Sequence, residues 1–94
     1  MTYKATLTQH AQIRAQQRAV PMAIIDILMR YGVRSSANHG CKIVYLSNKS
    51  MRRIHYELSD DLCKVIEKKR DCYLVVASDG SVVTVGHRQK RILH

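Results

Sequence analysis

Residues 72–88 read CYLVVASDGSVVTVGHR, and this stretch decides the fold. Two apolar, β-branched runs flank Asp79-Gly80, the strongest short-range signal for a β-hairpin. A two-residue turn sets the register. Ser78 pairs with Ser81, Val76 faces Val83, Val75 faces Thr84, Leu74 faces Val85 and Tyr73 faces Gly86. One sheet face then carries Leu74, Val76, Val83, Val85 and His87. The other carries Tyr73, Val75, Ala77, Val82, Thr84 and Arg88, because side chains alternate along a strand. The first face is more uniformly apolar. The second, with Tyr, Thr and Arg, suits a half-open groove.

Working back from the hairpin, the pattern turns helical. Ser59 caps a helix with Asp60 and Asp61 in its first turn and Lys68, Lys69 and Arg70 in its last, as the helix dipole favours. Its expected buried stripe is Leu62, Val65 and Ile66. A shorter helix after Ser47–Ser50 places Met51, Ile54 and Leu58 on one side. Residues 41–46, CKIVYL, read as a strand, and residues 33–40 as a loop. Met22 to Tyr31 forms an apolar helix opened by Pro21 and stopped by Gly32, with Asp26 and Arg30 spaced to pair across one turn. Residues 7–19 form the first helix, and Thr6 followed by Gln9 has capping-box spacing. The expected fold is therefore α+β: two N-terminal helices packed on a small, mainly antiparallel sheet, with a helical insert before the C-terminal hairpin.

The 94 residues suit a single domain spanning 1–94. Without Trp or Phe the core must be aliphatic, with the five tyrosines at its margins. The three cysteines, Cys41, Cys63 and Cys72, form no CxxC pair, and their number is odd. A disulfide scaffold is not expected, and a reducing cytoplasm is. The local spacing shows no zinc motif, so no metal or cofactor is expected. No apolar run approaches the roughly 20 residues of a membrane span.

The net charge is +9, and its distribution says more than its sum. No acid precedes Asp26 and none follows Asp79. Such basic ends attract polyanions, nucleic acid first and an acidic protein second. The opening helix concentrates the question. Leu7, Ala11, Arg14, Ala15 and Arg18 fall within one sector of about 100°. His10 and Gln17 flank it, and Ile13 lies nearly opposite. The two arginines share a side with the small residues that let a helix approach its neighbour. They face either a tertiary carboxylate, such as Asp71 or Asp79, or a cleft that holds phosphate. A second basic constellation is TVGHRQKRI, Thr84 to Ile92. Here Thr84, His87, Arg88, Lys90 and Arg91 make a candidate phosphate-binding strand, and Tyr73 offers a flat ring for a base. Gly86 leaves room for a ligand or backbone to approach.

Three features together resemble a known family. These are an HA-x-x-R-x-x-x-R helix (His10, Ala11, Arg14, Arg18), an apolar helix ending in glycine (Ile24 to Gly32), and YLVV-x-SDG-x-VVTVGHR. They resemble small bacterial domains of unknown function grouped with RelE-type toxins in the barnase–EndoU–colicin–RelE fold. The likeness is strongest over 8–20 and 72–92, and the helical insert at 50–70 departs from the short members. The resemblance implies two N-terminal helices against a curved four-stranded antiparallel sheet. It also implies a metal-independent endoribonuclease of toxin–antitoxin type, with an acidic antitoxin as partner and RNA, in some members on the ribosome, as substrate. Its motif positions map to His10, Arg14, Arg18 and the Thr84-to-Arg88 strand.

Metal-independent RNA cleavage needs a base for the 2′-hydroxyl, an acid for the leaving oxygen, and cations for the phosphorane. His10 and His87 are the acid–base candidates. Arg14, Arg18 and Arg88 would stabilise the transition state, Thr84 would bind a phosphate oxygen, and Tyr73, Lys90 and Arg91 would hold the RNA. A two-metal nuclease is disfavoured, because the basic ends lack carboxylates. The register puts His87 opposite Thr84 and Arg88, so all three share a groove only if a bulge near Gly86 re-aims one of them. A non-catalytic nucleic-acid-binding or protein-interaction module on the same fold is the alternative.

Overall fold

The computed structural model describes residues 6–88. The element order is α1 (Gln9–Gln17), α2 (Met22–Tyr31), β1 (Val33–Ser36), β2 (Lys42–Tyr45), α3 (Asn48–Glu57), α4 (Asp60–Lys68), β3 (Cys72–Val76) and β4 (Val82–His87). A short 3-10 turn, Asn38–Gly40, joins β1 to β2. The strands form one sheet in the order β1-β2-β3-β4, with every neighbour antiparallel. This is the expected α+β architecture, with α3 and α4 inserted between β2 and β3.

Local chemistry explains most boundaries. Thr8, not Thr6, caps α1, its hydroxyl accepting the Ala11 N–H at 3.1 Å. The expected capping box fails because residues 6 and 7 are held by β4 instead. Val82 N–H donates to the Thr6 carbonyl and Thr8 N–H to the Val82 carbonyl. Ser47 and Ser59 cap α3 and α4 by accepting the N–H groups of Ser50 and Leu62. Residues 33–36, expected as loop, form an edge strand. All four are exposed, so no apolar pattern marked them, and their order comes from pairing with β2. Gly32 ends α2 where a Cβ would stand 2.4 Å from the Leu28 carbonyl oxygen and 2.5 Å from Val44 Cγ1. Only glycine fits that close approach.

The hairpin loop has three residues rather than two. Ala77 N–H donates to Ser81 O and Gly80 N–H to Ala77 O, both at 2.9 Å, and Gly80 has φ +90°. This is a type I turn followed by a left-handed residue. It moves Val76 opposite Val82, one residue short of the expected pairing. A bulge between Val75 and Val76 then takes up Val83. Beyond it, Val75↔Thr84, Leu74↔Val85 and Tyr73↔Gly86 pair as expected. The correction falls on Val82 and Val83. Val82 is buried in the core, and Val83 is only half-buried.

Burial on β3 alternates, with Cys72, Leu74 and Val76 inward. With Val44, Val82 and Val85 they meet Ile24, Ile25 and Leu28 of α2, Ile54 of α3 and Ile66 of α4 in one cluster. Each such aliphatic side chain contributes about 1.5–3 kcal/mol by leaving water. On α4 the inward residues are Cys63 and Ile66, while Leu62 and Val65 stand about half exposed. Of the expected stripe only Ile66 is buried, and Cys63 takes the other inward place, its thiol 3.7 Å from the Ile54 carbonyl oxygen. Asp26 and Arg30 do not pair. Arg30 stacks on Tyr31, and Asp26 Oδ1 is buried without a hydrogen-bond partner among the described residues.

Candidate nucleic-acid interface

Helices cover one face of the sheet. On the other face, Val33, Tyr45, Tyr73 and Gly86 form one row across four strands, and Ser35, Ile43, Val75 and Thr84 form the next. Among the described residues, only Gly86 in these rows is buried. Its cover is Tyr73. A Cβ on Gly86 would lie 2.8 Å from Tyr73 Cε1, Cζ and Oη. The glycine therefore admits the tyrosine ring itself, where a ligand or backbone approach was expected.

Tyr45 and Tyr73 are direct cross-strand partners. The Arg88 guanidinium lies over both, 5.8 Å from the Tyr45 ring centre and 5.2 Å from that of Tyr73. Its backbone N–H donates to the Asp71 carbonyl at 2.8 Å, which fixes the residue just past β4. Arg88 Nε is buried and has no hydrogen-bond partner among the described residues. The ring faces supply its electrostatic compensation, worth about 0.5–2 kcal/mol per contact. Two rings and a planar cation on a sheet face that no described helix covers can take a base by stacking and its phosphate by charge.

α1 lies along the edge strand β4, with Ala11 and Ala15 buried and Ile13 exposed. Arg14 is half-buried, and Arg18 and His10 are exposed. Arg18 shares the alanines' sector but is the C-cap, and it is exposed where Ala11 and Ala15 are buried. Neither arginine is paired with a carboxylate among the described residues. Asp71 sits 3.3 Å from His87 Nδ1, and Asp79 accepts the Ser81 N–H. Of the two expected settings for Arg14 and Arg18, the tertiary ion pair does not form.

His87 turns away from Arg88. The bulge lies near Val83, not Gly86, so residues 84–88 alternate regularly, and His87 takes the helix side with its partner Cys72. Thr84 and Arg88 stay together on the open face, and His87 drops out of that groove. His87 Nε2 lies 2.7 Å from the Arg18 carbonyl oxygen. A carbonyl only accepts, so Nε2 carries the proton. Nδ1 faces both Asp71 and the Cys72 sulfur, the latter at 3.5 Å. Burial, then the Asp71 charge, pushes the Cys72 thiol up to about 11, with Lys69 opposing. His10 lies in the first turn of α1 and Arg18 caps its end, about 12 Å apart along the axis. The two histidines therefore do not form an acid–base pair. Lys90 and Arg91 lie outside the described residues.

Sequence reading missed Tyr45, Asp71 and Cys72 as site residues. Tyr45 belongs to the platform only because β2 pairs with β3, across the helical insert. The Cys72–His87 pair was implicit in the expected hairpin register, since it extends the Tyr73–Gly86 pairing by one step.

No protein-family model, curated protein or solved structure matches this chain. No helix among the described residues is long and apolar enough to cross a membrane.

Proposed function

We propose that the protein binds single-stranded RNA across the open face of its sheet. The observation that carries this is the stacking of Arg88 on the paired rings of Tyr45 and Tyr73. Bases stack on the layer made by Arg88 and the two rings, Arg88 and Thr84 take phosphate oxygens, and Arg14 and Arg18, which have no carboxylate partner among the described residues, extend the path of the backbone. The net charge of +9 steers the polyanion in. Fluorescence anisotropy with a short labelled RNA tests this, read across a salt series. Tyr73→Ala should weaken binding about fivefold or more, as loss of one base–aromatic stack predicts. Equal affinity for wild type and Tyr73→Ala would remove the open face from the site, and preference for single-stranded DNA would change the polymer.

A second reading is a metal-independent endoribonuclease of toxin–antitoxin type, acting in the cytoplasm and held in check by an acidic antitoxin. Arg14 and Arg18, which have no carboxylate partner among the described residues, favour it, because they can stabilise a phosphorane. The resemblance of the HA-x-x-R-x-x-x-R helix to RelE-type toxin domains belongs to this proposal. With the histidines separated, tyrosine, arginine or lysine must move the protons, Tyr73 first among them. Induced expression in bacteria separates the readings. Growth arrest with fragmented RNA, relieved by Arg14→Ala/Arg18→Ala, supports cleavage. Healthy growth with intact RNA supports binding alone.

A further inference from the structure

On the helix side of the sheet, three ligand types converge that the RNA face does not use. Cys72 and His87 are cross-strand partners at the end of the β3–β4 pair, and Asp71 immediately precedes Cys72. An Asp71 carboxylate oxygen, Cys72 Sγ and a His87 ring nitrogen all lie within 4.8 Å of one another. We propose that Asp71, Cys72 and His87 form a binding site for one zinc-like divalent transition-metal ion, with a water as fourth ligand.

Two of the three ligand spacings match such an ion, and the third lies within 4.8 Å. Tetrahedral zinc, with bonds of about 2.0–2.3 Å to nitrogen, oxygen and sulfur, holds its ligand atoms about 3.3–3.6 Å apart. His87 Nδ1 stands 3.3 Å from Asp71 Oδ2 and 3.5 Å from Cys72 Sγ. The imidazole is already oriented for the task. Its Nε2–H donates to the Arg18 carbonyl at 2.7 Å, which leaves the Nδ1 lone pair directed at the thiol and the carboxylate. A carbonyl partner on the far nitrogen is the usual device for fixing a metal-binding histidine. Burial is graded across the ligands: Cys72 is buried, the His87 side chain is 27% exposed and that of Asp71 51% exposed. The ion therefore enters from the Asp71 side, and its water occupies that side.

Carboxylate, imidazole and thiolate together select zinc, cobalt or similar ions over magnesium and calcium, which require oxygen ligands. Coordination forms one bond each from sulfur, nitrogen and oxygen and sends the Cys72 thiol proton to solvent. Nδ1 binds through its lone pair, so a proton held between Nδ1 and Asp71 also leaves to solvent. The bound ion ties β3 to β4 and, through the Arg18 carbonyl, to the end of α1.

The test is a Co²⁺ titration of the full chain under a non-chelating reductant, read by absorption. The expected result is one equivalent bound, with the visible bands of tetrahedral cobalt and a thiolate-to-cobalt charge-transfer band, and Zn²⁺ displacing it. Cys72→Ser should abolish the charge-transfer band. Asp71→Asn, an exposed change that leaves the core intact, should weaken binding at least tenfold. Cys41→Ser should leave the spectrum unchanged. Absence of a charge-transfer band in the wild type overturns the proposal. So does a band that survives in Cys72→Ser, or affinity unchanged in Asp71→Asn.

Discussion

The distal end of the Tyr73 ring covers Gly86, its cross-strand partner, in the space where any other residue would place a Cβ. Gly86 thereby sets the height at which Arg88 meets the ring. In Gly86→Ala the new methyl would press on the far end of a flexible side chain, so the ring can swing aside. The expected cost in stability is about 1 kcal/mol. RNA affinity should fall about as far as in Tyr73→Ala, because the ring leaves Arg88. Thermal denaturation beside an RNA titration checks both halves.

Gly32→Ala should behave in the opposite way. Its methyl would meet the Leu28 backbone carbonyl and the Val44 side chain, neither of which can yield without moving α2 or the core. A loss of roughly 3 kcal/mol is expected. Urea unfolding should rank Gly32→Ala well below Gly86→Ala.

Ala19 follows the Arg18 cap with φ +53°, a left-handed conformation that disfavours a Cβ. Val20 N–H bonds back to Ala15 O, and the Ala19 carbonyl accepts from Lys69 Nζ at 3.0 Å, so tertiary contacts hold this turn. Ala19→Gly should raise stability by about 1 kcal/mol. A lower melting temperature for this variant would contradict the strained turn.

Tyr31 links the helices, its hydroxyl donating to Glu57 Oε1 at 3.2 Å. Burial first, then the Glu57 hydrogen bond and charge, raise its pKa, while Arg30 and Arg53 pull it down. The folded pKa thus exceeds the unfolded one. The resulting stability is fully present below about pH 10 and is lost as pH rises through the raised pKa. Alkaline unfolding of the wild type should therefore steepen above pH 10, and Tyr31→Phe should flatten that limb. Equal slopes would show that Tyr31 ionises as freely in the folded state as in the unfolded chain.

Arg14→Ala/Arg18→Ala tests the opening helix without touching the open face. Both charges lack a carboxylate partner among the described residues, so folding should be nearly unaffected. If both contact phosphate, the slope of log affinity against log salt should become shallower by about 1–2. An unchanged slope would place the RNA path away from α1.

Much of the architecture was legible because it rests on local chemistry. α2 begins and ends where the apolar run and Gly32 put it. Ser47 and Ser59 cap the helices they precede, and Tyr73 faces Gly86 as the hairpin pattern requires. The sequence alone therefore determined the fold class, the Ser59 cap and the excess of basic charge at the two ends. Tertiary structure decided the rest. β1 has no apolar pattern and exists only by pairing with β2, and Tyr45 reaches Tyr73 only across two inserted helices. A three-residue turn and its compensating bulge chose Val82 over Val83 for the core. Beyond that bulge the strand is regular, so His87 and Arg88 keep the opposite faces that the hairpin register expected, and tertiary pairing adds Tyr45 beside Arg88. A strand alternates its side chains every residue, so one bulge decides which of two adjacent valines enters the core, and composition carries no trace of where it lies.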